Sequence, residues 1–490
     1  MKVLGIDLGS SSVKASLLDV ETGRSAGRAT SPNTEMAIAS KQPGFAEQDP
    51  AMWYRHAVEA VRKVMGKTGI AADEVKAIGI AYQMHGLVCV DVQGNVLRPS
   101  IIWCDSRATS HGDRAMKAIG RTRCLEHLFN SPGNFTAAKL AWVKENEPDV
   151  FRRIHKIMLP GDWLAFALTD RICTTPQGLS EGIFWDYLEE SPCDFLIEQF
   201  GFDSDLLADR VPTFAVQGEL SDAAAAELGL AAGTPVAYRA GDQPNNAMSL
   251  NVLNPGEVAA TAGTSGVVYG VSDQKRFDPE SRVNTFLHVN HTSSSPRLGV
   301  LLCINGTGSM NAWTRRLLGD VSYEEMNRLA GEVAIGSDGI SVLPFGNGAE
   351  RMLGNRAVGA QVAGLDLNRH DRAHLCRAVQ EGIVFSFNHG MQIMRDIGVD
   401  PYTIRAGYAN MFMSDVFCET LAGVTGTTIE LYDTDGALGA ARGAGFGAGI
   451  FRSLEEAFAS LERRRVVEPD GRDFLESYRR WGHLLNRSLG

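Results

Sequence analysis

Apolar residues from Val3 to Ile6 lead into the turn chemistry of Gly9-Ser10-Ser11-Ser12, and apolar character resumes from Val13 to Leu18. The pattern predicts strand, turn, strand. Further on, Ala57, Val58, Val61 and Met65 recur at helical spacing within Trp53 to Met65, which predicts an amphipathic helix. Ala77-Ile78-Gly79-Ile80-Ala81 then reads as a strand. A second strand pair is expected over 87–92 and 101–103, turning at Gly94-Asn95. From residue 113 to about 200 the pattern is mostly helical, with Lys139 to Val143 on one helix.

The second half begins as the first does. Val236-Ala-Tyr-Arg239 leads into Ala240-Gly-Asp-Gln-Pro-Asn-Asn-Ala247, which reads as a strand ending at a helix. Glu257 to Ala262, a Gly263-Thr-Ser-Gly266 turn and Val267 to Gly270 again spell strand, turn, strand. Two hairpins of one design, about 250 residues apart, predict a duplicated α/β domain rather than a short-period solenoid. The boundary is expected near 247–256, giving domains 1–247 and 248–490.

Composition narrows the class. The chain has 490 residues, 44% apolar and 21% charged, which fits a soluble globular protein of two or three domains. A net charge of −11 repels phosphate backbones and anionic lipid, so neither nucleic acid nor a membrane is the expected partner. Glycine supplies 52 residues, above the usual ~7%, and tight turns are the expected cause. Eight scattered cysteines without a Cys-x-x-Cys pair point to a reduced, cytoplasmic protein. An acid already at residue 7 leaves no signal-peptide core.

The first hairpin carries the most chemistry. In Ile6-Asp7-Leu8-Gly9-Ser10-Ser11-Ser12 an acid ends a buried strand and precedes a turn rich in backbone donors and hydroxyls. Such a turn cradles phosphate, and the carboxylate suits hydrated Mg²⁺; a plain hairpin with a solvated Asp is the competing reading. The second turn, Gly263-Thr264-Ser265-Gly266, matches the first, and two such turns can close on one polyphosphate.

Taken in order, these segments resemble the FGGY carbohydrate kinases of the actin/hexokinase/Hsp70 ATPase superfamily, most closely the xylulokinase branch, over nearly the whole chain. Gly5 to Lys14 and Gly263 to Gly266 look like the two phosphate motifs. Trp103-Cys-Asp-Ser-Arg107 is similar to a Trp-x-Asp-x-Arg element, and Gln83-Met84-His85-Gly86 to the element that separates this branch from glycerol kinases. Lys139-Leu-x-Trp-Val143 and Gly161-Asp-Trp-Leu164 fit the helical core of the first domain.

The resemblance implies two actin-like (ribonuclease H-like) α/β ATPase domains flanking a catalytic cleft. It implies ATP and Mg²⁺, with phosphorylation of D-xylulose to the 5-phosphate as the activity. Asp242, in a Gly-Asp-Gln turn, maps onto the catalytic base, and Asp7 onto the metal-linked acid acting through water. Met84, His85, Asp242 and Gln243 map onto the sugar site. Gly9, Ser10, Ser11, Ser12, Gly263, Thr264, Ser265, Gly308, Gly407 and Asn410 map onto the nucleotide site. A kinase for another pentulose or polyol is the alternative, and a non-catalytic sugar sensor is a third reading. A homodimer is compatible with the sequence.

Three segments depart from the family pattern. Ala406-Gly407-Tyr408-Ala409-Asn410 stands where Gly-Gly-Gly-Ala is usual, which implies loose contacts to the base. Gln380 replaces an apolar residue before Glu381, and Gln243-Pro244-Asn245-Asn246 replaces Asn-Ala-Ala after the catalytic Asp. Other motifs are set aside. Gly66-Lys67-Thr68 lacks the first glycine of a Walker A loop. Gly178-Leu-Ser180-Glu-Gly182 matches a nucleophile elbow but precedes bulky, β-prone residues. His288-x-x-His291 and His370-x-x-x-His374 are expected to be solvated histidines without a metal.

Overall fold

The computed structural model describes residues 1–490. The chain folds into two units of α/β architecture. The first comprises Met1–Asn251, Phe286–Pro296 and Thr434–Leu461; the second comprises Val252–Thr285, Arg297–Asp433 and Glu462–Gly490. A single cut at 247/248 therefore leaves two segments of the later sequence, 286–296 and 434–461, packed within the first unit.

The first unit is built on a six-stranded sheet ordered Phe214–Glu219, Pro235–Gly241, Val75–Tyr82, Lys2–Leu8, Val13–Asp19 and Ser25–Ser31. The expected hairpin forms in register, from Lys2 opposite Asp19 to Leu8 opposite Val13. Lys2–Leu8 runs parallel to Val75–Tyr82, which runs parallel to Pro235–Gly241. Helix Pro50–Thr68 covers one part of the sheet and buries Trp53, Ala57, Ala60, Val61 and Val64. Its start is set by Asp49, which accepts from the Ala51 N–H, and by Pro50 in the first turn, where a missing N–H costs nothing. Gly69 ends it in the left-handed region (φ +66°), the usual glycine stop.

The second unit repeats the plan. Its strands are ordered Leu298–Ile304, Gly266–Ser272, Glu257–Ala262, Thr403–Gly407, Thr428–Tyr432 and Arg463–Val467. Glu257–Ala262 pairs antiparallel with Gly266–Ser272 and parallel with Thr403–Gly407. The duplicated hairpin thus occupies the same place in each sheet, as the sequence pattern predicts. The 25-residue helix Arg372–Asp396 runs through the core of this unit.

Two expectations are corrected here. The strand pair 87–92 with 101–103 does not form as a ladder. Val88–Val90 pairs with Lys156–Met158, and Ser100–Ile101 with Glu47–Gln48; one isolated bridge, Leu87 with Ile101, joins the two segments, and a second, Val90 with Val96, closes the turn between them. Gly94 does turn the chain (φ +83°), but the Asp91 carboxylate takes the N–H groups of Gln93 and Asn95. Beyond that turn only scattered backbone bonds continue, such as Leu97 N–H to the Cys89 carbonyl at 2.9 Å, and the apolar runs take other strand partners.

The glycine excess is also not only a matter of turns. Helix Gly436–Gly447 lies on strands Lys2–Leu8, Val75–Tyr82 and Pro235–Gly241. A Cβ on Gly5 would fall 1.7 Å from the Ala437 carbonyl oxygen, and one on Gly79 would fall 2.0 Å from that of Ala440. Helix and sheet meet backbone to backbone, which only glycine permits.

Candidate active site

In an α/β sheet, ligands gather at the carboxyl ends of the parallel strands. In the first unit, Leu8 lies opposite Tyr82, and Tyr82 opposite Gly241. Three candidate segments leave the sheet at this one edge: the Gly9–Ser12 turn, the Gln83–His85 turn and Asp242. Asp7 sits at the end of its strand with 14% of its side chain exposed, and its Oδ2 is 3.9 Å from Lys14 Nζ. Burial raises its carboxyl above the usual range; Lys14 opposes this and Asp435 adds to it. Gly436 makes room for that carboxylate, since a Cβ there would stand 2.8 Å from Asp7 Oδ2 and 2.9 Å from Asn246 Oδ1.

The turn itself is closed by Gly9 N–H donating to the Ser12 carbonyl at 3.1 Å. The Ser10 carbonyl accepts from Gln48 Nε2, and that of Ser11 from the Met36 N–H. With these carbonyls tied back into the protein, the serine edge of the turn presents donors. Trp103, 53% exposed, reaches the same turn, with its Nε1–H 3.4 Å from Ser10 Oγ. The rest of that motif is structural. Arg107 pairs with buried Asp105 at 2.7 Å and with Glu47 at 2.8 Å, and stacks 3.6 Å over Phe45.

Asp242 is the first residue of helix Asp242–Ser249, directly after Gly241. Burial first, then the charge of Asp7, push its carboxyl up to about 7, against hydrogen bonds to Gln243 and its own backbone. Pro244 fits the first turn of the helix, and the Asn245 Nδ2 donates to the Gly436 carbonyl at 2.8 Å. The unusual Gln-Pro-Asn-Asn sequence therefore anchors the helix that carries Asp242.

Met84 is buried (4% exposed), and His85 adopts a left-handed backbone (φ +62°). His85 Nδ1 lies 2.9 Å from the Glu181 carbonyl oxygen. Its N–H donates to Glu181 Oε1 at 3.4 Å, and its own carbonyl accepts from Lys139 Nζ at 2.7 Å. The ring packs edge-on to Phe135 and against Phe286. Glu181 and Lys139 were not candidates from sequence, yet both are fully buried beside this turn. Burial holds the Glu181 carboxyl well above its usual range and lowers the Lys139 ammonium to about 7. Glu181 lies within the Gly178–Gly182 motif, where Ser180 sits inside helix Pro176–Glu181, 2.7 Å from the Tyr187 hydroxyl. No nucleophile elbow exists there.

In the second unit, Gly308 N–H donates to the Gly263 carbonyl at 2.9 Å, and Ser309 N–H to that of Thr264 at 3.0 Å. The start of helix Thr307–Leu317 thus holds the second turn, leaving Thr264 and Ser265 exposed. A Cβ on Gly263 would lie 3.7 Å from Asn410 Nδ2, so Asn410 (φ +54°) reaches this turn. Gly407 ends strand Thr403–Gly407 with open space where a Cβ would stand, and Tyr408 is 47% exposed. The structure brings Gly263, Thr264, Gly308 and Asn410 together.

Departures elsewhere are accommodated. Gln380 is buried but satisfied, its Nε2 bonded to Asn327 Oδ1 and its Oε1 to Ser414 Oγ. Gly66-Lys67-Thr68 is the end of a helix, not a loop. His288 is fully buried rather than solvated, because its segment packs within the first unit, where the His288 carbonyl accepts from Gln177. No group of three or more His, Cys, Asp or Glu forms a protein-only metal cage. A hydrated Mg²⁺ needs only one or two carboxylates besides substrate phosphates, and the crowding of Asp7 with Asp242 and Asp435 is a donor set that a cation relieves. All eight cysteines are free thiols, and no helix is long and apolar enough to cross a membrane.

Comparison with known proteins gives the family and the fold. The family model for the N-terminal domain of the FGGY family of carbohydrate kinases matches residues 2–249, and that for the C-terminal domain matches residues 258–448. The chain is 28% identical to the xylulose kinase of Bacillus subtilis over 95% of its length and 92% of that protein's. It is 29% identical to the xylulose kinase of Escherichia coli over 96% and 95%. An L-xylulose/3-keto-L-gulonate kinase of Escherichia coli is 28% identical over 98% and 96%. Among solved structures, xylulose kinase from Rhodospirillum rubrum superposes with a TM-score of 0.87 at 26% identity, covering 99% of both chains.

Proposed function

The chain belongs to the FGGY family of carbohydrate kinases, an ATP-dependent sugar kinase, and from that premise we propose that it phosphorylates D-xylulose to D-xylulose 5-phosphate. The observation that carries the reading is the strand edge where Asp242, its carboxyl pushed up to about 7, adjoins the Met84–His85 turn packed against Gly241. A sugar hydroxyl is a weak nucleophile at neutral pH, and a carboxylate of this kind can accept its proton as the oxygen attacks phosphorus.

In this mechanism Met84, His85 and Gln243 hold the ketose, and Asp242 takes the C5 hydroxyl proton. The oxygen then attacks the γ-phosphorus in line, and ADP leaves. The Gly9–Ser12 turn offers N–H groups and hydroxyls to phosphate oxygens. Thr264, Ser265, Gly263, Gly308, Gly407 and Asn410 take the nucleotide. Asp7 is the residue that would hold Mg²⁺ through water, and the ion's contribution is to neutralise charge on the phosphate oxygens.

A second reading follows from the relatives. The L-xylulose/3-keto-L-gulonate kinase is as similar as the Bacillus subtilis xylulose kinase, both at 28%, so overall identity does not choose the ketose. A coupled ADP-release assay over D-xylulose, L-xylulose, D-ribulose and glycerol separates the readings. The highest kcat/KM is expected with D-xylulose. A tenfold or greater preference for another acceptor would replace D-xylulose, and ATP turnover with none of them would sink the sugar assignment.

A further inference from the structure

His85 is the only residue of the sugar turn with a left-handed backbone (φ +62°), a conformation that a side-chain-bearing residue adopts only when its surroundings hold it there. It is held by three contacts from two elements distant in sequence. Lys139, on helix Thr136–Asn146, donates to the His85 carbonyl at 2.7 Å. Glu181, the last residue of helix Pro176–Glu181, takes the His85 N–H on Oε1 at 3.4 Å, and its own carbonyl meets His85 Nδ1 at 2.9 Å.

Both holding groups are fully buried charges in origin, Lys139 at 0% and Glu181 at 2% exposure. Burying such groups is costly unless they are used. His85 and Tyr82 hydrogen-bond Glu181, the charges of Asp242 and Asp162 bear on it, and Asp162 is already paired with Arg239 at 2.9 Å. The other face of Glu181 fills the space left by a glycine. A Cβ on Gly241 would fall 2.3 Å from Glu181 Oε2 and 2.6 Å from Met84 Cγ. One carboxyl thus touches both the turn that carries His85 and the strand end that carries Asp242.

A consequence for the imidazole follows from simple valence. A peptide carbonyl only accepts, so the bond to the Glu181 carbonyl requires the proton on Nδ1. In the neutral ring, Nε2 is then an acceptor.

We propose that Glu181 and Lys139 are positioning residues for the sugar site: they lock the Met84–His85 turn against the strand end bearing Asp242 and fix His85 as the Nδ1–H tautomer. This inference rests on the kinase reading for its substrate, but its structural half does not.

The test has two arms. In the first, ¹⁵N–¹H correlation spectra of the resting protein report the tautomer, with the His85 signal assigned by its loss in His85→Gln. The Nδ1–H pattern is expected, and an Nε2–H pattern would overturn the proposal whatever the enzyme phosphorylates. In the second, Glu181→Ala and Glu181→Gln are assayed with the best acceptor of the panel. Glu181→Ala should raise the sugar KM at least tenfold and leave the ATP KM within twofold. Glu181→Gln, which keeps an acceptor oxygen for the His85 N–H, should recover most of that loss. Equal damage to both KM values, or no recovery in Glu181→Gln, would make Glu181 a structural residue only. If Glu181→Ala does not fold, Lys139→Met takes its place, with the same split expected. A wild-type enzyme inactive on every sugar, with the Nδ1–H tautomer present, would sink the kinase substrate while leaving the locked turn intact.

Discussion

Asp242 keeps its proton to about pH 7, because burial and the neighbouring Asp7 both penalise its ionised form. As a general base it must be ionised, so kcat/KM should fall tenfold per pH unit below about 7 and level off above it. Asp242→Asn should lower kcat by at least ~10²-fold with little change in sugar affinity; near wild-type kcat would remove Asp242 from the mechanism. The same residue has a stability consequence of opposite sign. Its folded value lies above that of the unfolded chain, near 4, so the stability it contributes is full below about pH 4 and is lost as pH rises through about 7. Metal-free Asp242→Asn should therefore melt higher than wild type at pH 8, and the gap should close toward pH 4. His85→Ala is expected to cut sugar kcat/KM by ~10-fold or more, the cost of one buried unpaired partner, with the ATP KM unmoved. Asp7, Met84, His85 and Asp242 were expected from the family resemblance, and the structure sets them at or just beyond the ends of three adjacent strands. Glu181 and Lys139 were not, since nothing local distinguishes a buried charge from a solvated one. Their role depends on contacts to His85 that lie 96 and 54 positions away.

At the scale of single elements, the second turn is a product of the helix behind it. A Cβ on Gly308 would lie 2.2 Å from the Gly263 carbonyl oxygen, so Gly308→Ala must displace the turn or the start of helix Thr307–Leu317. The nucleotide KM should rise several-fold while the sugar KM holds. Gly482→Ala, in helix Leu475–Leu489 with open space around the new methyl, is the matched control. It should leave both KM values alone and stabilise by about 0.5–1 kcal/mol. A Gly308→Ala enzyme with an unchanged nucleotide KM would show that the turn tolerates displacement. Both hairpins and helix Pro50–Thr68 were readable because alternation and caps are local signals. In segment 87–103, two short apolar runs around a turn look like a hairpin in sequence, whereas Val88–Val90 pairs with Lys156–Met158, more than sixty residues away.

At the scale of the molecule, the duplication was visible from sequence, but the path of the chain was not. Helix Gly436–Gly447 belongs to the first unit although almost all of the second precedes it. Its packing on Gly5 and Gly79 is backbone against backbone, a fit that another element with larger side chains would not reproduce. Residues 1–251 expressed alone should show no cooperative thermal transition by circular dichroism. Joining Asn251 to Thr434–Leu461 through a Gly/Ser linker should restore one. A cooperative melt of residues 1–251 alone would mean that the helix decorates a unit that is already stable.

That threading sets a timetable during synthesis. Between Asn251 and Thr434 lie roughly 180 residues, or ~10–40 s of translation at ~5–20 residues per second. Through that interval the strands Lys2–Leu8, Val75–Tyr82 and Pro235–Gly241 have been made, but the helix that lies on them has not. The unit that starts first is completed nearly last, and its apolar strands wait uncovered until Gly436–Gly447 is made.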